Sequence, residues 1–100
     1  MADVITRLFK GAVPTSSTTL YTVGASPAAA LVRFVSVVNT TGGVLAFDLS
    51  FAGTKVFSNR SLEAGEQLTW DGGHLLLATE VIVAQATASG LEIYITGVVS

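Results

Sequence analysis

The sequence predicts an all-β domain: an antiparallel β-sandwich, jelly-roll-like, of about eight short strands. Three observations carry this expectation. Apolar segments of strand length, rich in Val, Ile, Thr and Tyr, recur along the 100 residues. Turn signals such as Gly24-Ala25-Ser26-Pro27, Ala52-Gly53, Ala64-Gly65 and Ser89-Gly90 separate them. Several segments alternate apolar and polar residues with the period of two that one buried sheet face requires. No helix longer than about two turns is expected.

The N-terminal segment 1–13 reads as an extended arm or edge strand. Val4, Ile5, Leu8 and Phe9 would also suit one face of a short helix, but the segment is brief and closed by Gly11 and Pro14. An arm of this kind either packs on a neighbouring subunit or completes its own sheet. Pro14 to Ser17 is a loop, and Thr18 to Val23 a strand. Ala29 to Asn39 is the longest apolar run, with Leu31, Val35 and Val37 on one face and Val32, Phe34 and Val38 on the other. A strand apolar on both faces is covered on both sides. A sandwich core covers one, so a subunit contact is expected at the second.

Asn39 to Gly43 reads as a hairpin turn. Val44 to Phe51 sets Leu45, Phe47, Leu49 and Phe51 on a core face, and Ala52-Gly53 is a two-residue hairpin connection returning along Thr54 to Ser58. Asn59 to Glu66 is the most polar stretch and reads as a solvated loop. Gln67–Trp70 and His74–Leu77 read as two strands around a turn at Asp71-Gly72-Gly73. Val81–Ala86 and Leu91–Thr96 follow.

Composition narrows the function classes. Half the residues are apolar and 12% are charged, against about 25% charged in a typical soluble domain. Mean hydropathy is +0.64, yet no apolar run reaches the roughly 18 to 20 residues of a membrane span. The surplus fits either a tight core or surface buried between chains. Five Lys/Arg against seven Asp/Glu, a net charge of −2, supply no basic patch for nucleic acid. No cysteine is present, which excludes disulfides and thiolate chemistry. The N-terminus carries no evident secretory signal.

No catalytic, metal or cofactor site is expected, nor a small-molecule substrate. The single His74 lies three residues from Asp71, but a triad needs a converging nucleophile as well. Glu63 and Glu66, three apart on a polar stretch, read as solvent-facing rather than as a glycosidase pair. Asn39-Thr40-Thr41 and Asn59-Arg60-Ser61 match the glycosylation sequon. Trp70, the only tryptophan, fits core packing or an exposed anchor.

Three stretches carry a family resemblance: Leu62-Glu63-Ala64-Gly65-Glu66-Gln67-Leu68; Trp70-Asp71-Gly72 leading into Leu75-Leu76-Leu77; and Val83-Ala84-Gln85-Ala86 followed by Ser89 to Val98. Together with the layout of the N-terminal half, they resemble small all-β virion structural proteins of tailed bacteriophages. At Ala78-Thr79-Glu80 the chain lacks the glycine that such proteins carry in a second Gly-Asp turn. The resemblance implies a non-enzymatic virion protein made in the host cytoplasm. The leading expectation is a capsid cement or decoration subunit, a homo-oligomer bridging the major capsid protein or other virion proteins. The alternatives are a neck, tail or fibre accessory protein, or a host-glycan-binding module. Candidate interface residues are Val4, Ile5, Leu8 and Phe9 on the arm, Val32 and Phe34 on the long strand, Trp70 and Tyr94.

Overall fold

A computed structural model describes residues 4–25 and 28–100. Ser26 and Pro27 of the expected turn, and residues 1–3 of the expected arm, lie outside the described residues. Among the described residues, eight strands make up the fold: β1 (Val4–Ala12), β2 (Thr18–Thr22), β3 (Ala29–Asn39), β4 (Leu45–Phe51), β5 (Thr54–Leu62), β6 (Gln67–Leu77), β7 (Val81–Ala86) and β8 (Leu91–Val99). They form two antiparallel sheets, one in the order β1-β8-β3-β6 and the other β2-β7-β4-β5.

The connectivity follows from one long hairpin. Its tip is the Ala52-Gly53 turn, whose φ values of 54° and 81° suit a tight reversal matched to strand twist. Away from the tip, β4 pairs with β5, β3 with β6, β2 with β7 and β1 with β8. Rolling that ribbon brings β8 against β3 and β7 against β4, which completes the two sheets. Each connection except the tip therefore passes from one sheet to the other. The first of these is stitched to both, since Val13 donates its N–H to the Leu91 carbonyl and the Pro14 carbonyl accepts from Ala86.

The core lies between the sheets. Phe47, Leu49 and Phe51 of β4 are buried against Val32, Val35, Val37, Leu76, Ile93 and Ile95 of the facing sheet. Leu45, Phe47, Leu49 and Phe51 thus line the core as their alternation predicts, with Leu45 only partly buried. Phe51 meets the Trp70 ring edge-on at 6.0 Å and the His74 ring at 4.8 Å.

Three expectations need correction. The polar stretch 59–66 is not a loop throughout: β5 continues to Leu62, which is fully buried. A bulge at Asn59 (φ 49°) lets this happen, because it shifts the pairing between Phe47 and Leu49 of β4 and returns Leu62 to the core side. Asp71-Gly72-Gly73 is not a turn either, since β6 runs unbroken through it. The two glycines stand opposite Arg33, where the β3–β6 register shifts.

The third correction concerns β3. Its two-faced apolarity is partly a change of phase at the same bulge. Ala30 and Val32 face the core before it, and Val35, Val37 and Asn39 after it. Leu31, Phe34, Ser36 and Val38 take the outer side. The apolar outer face remains, but its members differ from those that strict alternation predicts.

Asn39 ends β3 as a polar residue fully buried in the core. Its side-chain amide donates to the carbonyls of Gly43 at 2.7 Å and Leu62 at 3.0 Å. Its carbonyl oxygen accepts from the Thr41 N–H and hydroxyl, at 2.9 and 2.7 Å. One side chain thus ties the ends of β3 and β5 to the loop between β3 and β4. The amide needed for glycosylation at this sequon is buried and fully engaged.

Candidate functional site

The outer faces of the two sheets differ in chemistry. On the β2-β7-β4-β5 sheet, Thr19, Val83, Ser50 and Lys55 form one cross-strand row, and Gln85 pairs with Asp48 in the next. Asp48 accepts from the Asn59 N–H and lies 3.7 Å from the Lys55 ammonium. This face is largely polar, with its carboxylate partnered.

The β1-β8-β3-β6 sheet presents the opposite. Pairing along its width sets Ile5, Val98, Leu31 and Leu75 in one unbroken row. Ile5 is 87% exposed and Leu75 57%. Leu77 adjoins Leu75 on the same face of β6 and is 54% exposed. A shallow depression of about 330 Å³, lined by Ala29, Leu31, Arg33, Leu75, Val98 and Ser100, lies over the row. Large apolar side chains are thus gathered on one exposed sheet face, where most soluble surfaces carry them singly.

The next row reads Arg7, Thr96, Phe34, Asp71. It is basic at the β1 edge and acidic at the β6 edge, with the half-exposed Phe34 ring inside. A third row holds Lys10, Tyr94, Ser36 and Thr69, and a fourth Ala12, Glu92, Val38 and Gln67. Gln67 donates to the Ser36 hydroxyl at 3.1 Å along this face. Arg7, Lys10 and Asp71 lie on the edge strands, while Arg33 at the β3 bulge and Glu92 on β8 lie on the central ones.

The residues singled out for an interface divide between this face and the core. Ile5, Phe34 and Tyr94 stand on the outer face, and Val4 is exposed at the start of β1. Leu8 and Val32 are buried within the domain and offer nothing to a partner. Leu8 sits at the β1 bulge opposite β8, which turns it inward; Val32 precedes the β3 bulge on the core side. Phe9 and Trp70 are partly buried against the same core. Leu31, Leu75, Leu77 and Val98 belong to the face and were legible only as strand residues. The segment around Val4 to Ala12 is an edge strand paired along β8 rather than a detached arm.

The candidate catalytic groups are separated. Asp71 is paired with the outward Phe34 and His74 with the inward Val32, so the two point to opposite sides of β6. The Glu66 carboxylate accepts the Glu63 N–H at 2.8 Å while the Glu66 N–H bonds the Glu63 carbonyl at 2.9 Å. Glu66 is thus engaged in closing the β5–β6 turn. Among the described residues no group of His, Cys, Asp or Glu is arranged to hold a metal ion.

Comparison with protein-family models, curated proteins and solved structures finds no match.

Proposed function

We propose that this chain is a structural subunit of a tailed-bacteriophage particle, a capsid cement or decoration protein with a jelly-roll fold. The strand orders β1-β8-β3-β6 and β2-β7-β4-β5, generated by rolling one hairpin, support the jelly-roll assignment. The single observation that carries the functional reading is the row Ile5, Val98, Leu31 and Leu75, an exposed apolar stripe across four strands. Such a stripe gains free energy by burial, at about 25 cal/mol per Å2 of apolar area removed from water, before association costs are met. The setting on a phage particle rests on the resemblance of Leu62–Leu68, Trp70–Leu77 and Val83–Val98 to virion proteins.

The test is compositional. Particles of the phage encoding this chain, purified on a density gradient, are expected to carry it in a fixed ratio to the major capsid protein, and cross-linking should join it to that protein. Its absence from the particles would overturn the reading. Cross-links to neck or tail proteins alone would move it to the accessory class.

A further inference from the structure

We propose that the outer face of the β1-β8-β3-β6 sheet is closed by a second copy of the same chain, forming a twofold dimer with its axis parallel to the strands. The inference deepens the docking-face reading above and rests on it; it is independent of which particle the subunit serves.

The argument is the antisymmetry of the rows. An axis running between β8 and β3 lays β1 of one copy over β6 of the other, and β8 over β3. Ile5 then meets Leu75 of the second copy and Val98 meets Leu31, so the apolar row covers itself. In the next row the same operation sets Arg7 over Asp71 and Asp71 over Arg7, two ion pairs related by symmetry. Tyr94 lies over Ser36 in the third row. An axis perpendicular to the strands would instead stack like edges together. An isologous contact demands self-complementarity of this kind.

Size agrees with this. Four strands spaced about 4.8 Å apart, over about ten residues of about 3.3 Å each, project on the order of 600 Å2. Side-chain relief raises the accessible area toward the roughly 800 Å2 per partner of a standard interface. Twisted sheets packed face to face cross at about −30°, so the corners of such a contact splay at both ends of the strands. Arg33 stands opposite Gly72 and Gly73 at the bulge and borders the depression over the apolar row.

The experiment is sedimentation of the purified full chain, with charge reversals. Wild type is expected to run at twice 10.3 kDa at micromolar concentration, and Leu75→Asp as a monomer with unchanged circular dichroism. Arg7→Asp or Asp71→Arg alone should weaken the dimer about tenfold or more, because each reversal sets like charges together at two sites. The double reversal Arg7→Asp/Asp71→Arg should restore association to within about threefold of wild type. A wild-type monomer at every concentration would overturn the proposal, as would a dimer indifferent to Leu75→Asp and to the single reversals. A monomer that still loads onto particles sinks the second-copy proposal alone. A dimer absent from particles sinks the virion reading alone.

Discussion

Three residues hold geometry that their neighbours cannot supply. Asn39 satisfies four hydrogen bonds at full burial. Asn39→Ala removes the bonds to the Gly43 and Leu62 carbonyls and to the Thr41 N–H, and is expected to cost about 3 kcal/mol, lowering Tm by roughly 12 °C or more in a melt. Gly97 is required for space: a Cβ there would overlap the Leu31 carbonyl oxygen on the adjacent strand and crowd Leu8. The obstacle is backbone and cannot swing aside, so Gly97→Ala should cost about 2 kcal/mol or more, read from denaturant midpoints. Thr79 is strained. It takes a φ of 68° in a turn where Glu80 accepts the Leu77 N–H and donates back to the Leu77 carbonyl. The 63–66 turn repeats this construction with Gly65 at φ 73°. Thr79, a β-branched residue, thus adopts at a cost the conformation that Gly65 takes freely. Thr79→Gly should raise Tm by a few degrees, because it relieves about 1 kcal/mol of strain net of chain entropy.

At the scale of elements, β4 is the strand whose role was plain from alternation, and β1 the one whose role was not. Phe47 is buried and packs on the Phe57 ring at 5.4 Å. Phe47→Ala is expected to cost about 3 to 5 kcal/mol, visible as a large fall in Tm. For β1, nearly every residue pairs with β8, and Leu8 enters the core through a bulge between Arg7 and Phe9. Helical and extended readings both fitted Val4, Ile5, Leu8 and Phe9, because a bulge gives an extended strand two neighbouring inward residues. Truncating residues 2–10 should therefore abolish cooperative unfolding, as followed by Trp70 fluorescence. A truncated chain that melted like the full one would show β1 to be dispensable.

For the whole molecule, the pairing of β1 with β8 joins the two ends of the chain, so the last contacts close the largest loops. Topologies dominated by distant pairings fold slowly. Stopped-flow refolding, followed through Trp70 against Phe51, is expected on the scale of milliseconds to seconds. A microsecond phase carrying the full amplitude would contradict this. By itself the sequence determined the class, most strand positions and the core face of β4, since a period of two and glycine at reversals are local properties of the chain. It left open where the apolar surplus goes. Bulges at Leu8, Arg33 and Asn59 change which side a residue faces, and a bulge is defined only relative to the strand opposite. Hence Val32 read as surface and proved core, and the solvated loop at 59–66 hid a buried Leu62. The row Ile5, Val98, Leu31 and Leu75 draws on four strands distant in sequence, and only the cross-strand register makes it one surface.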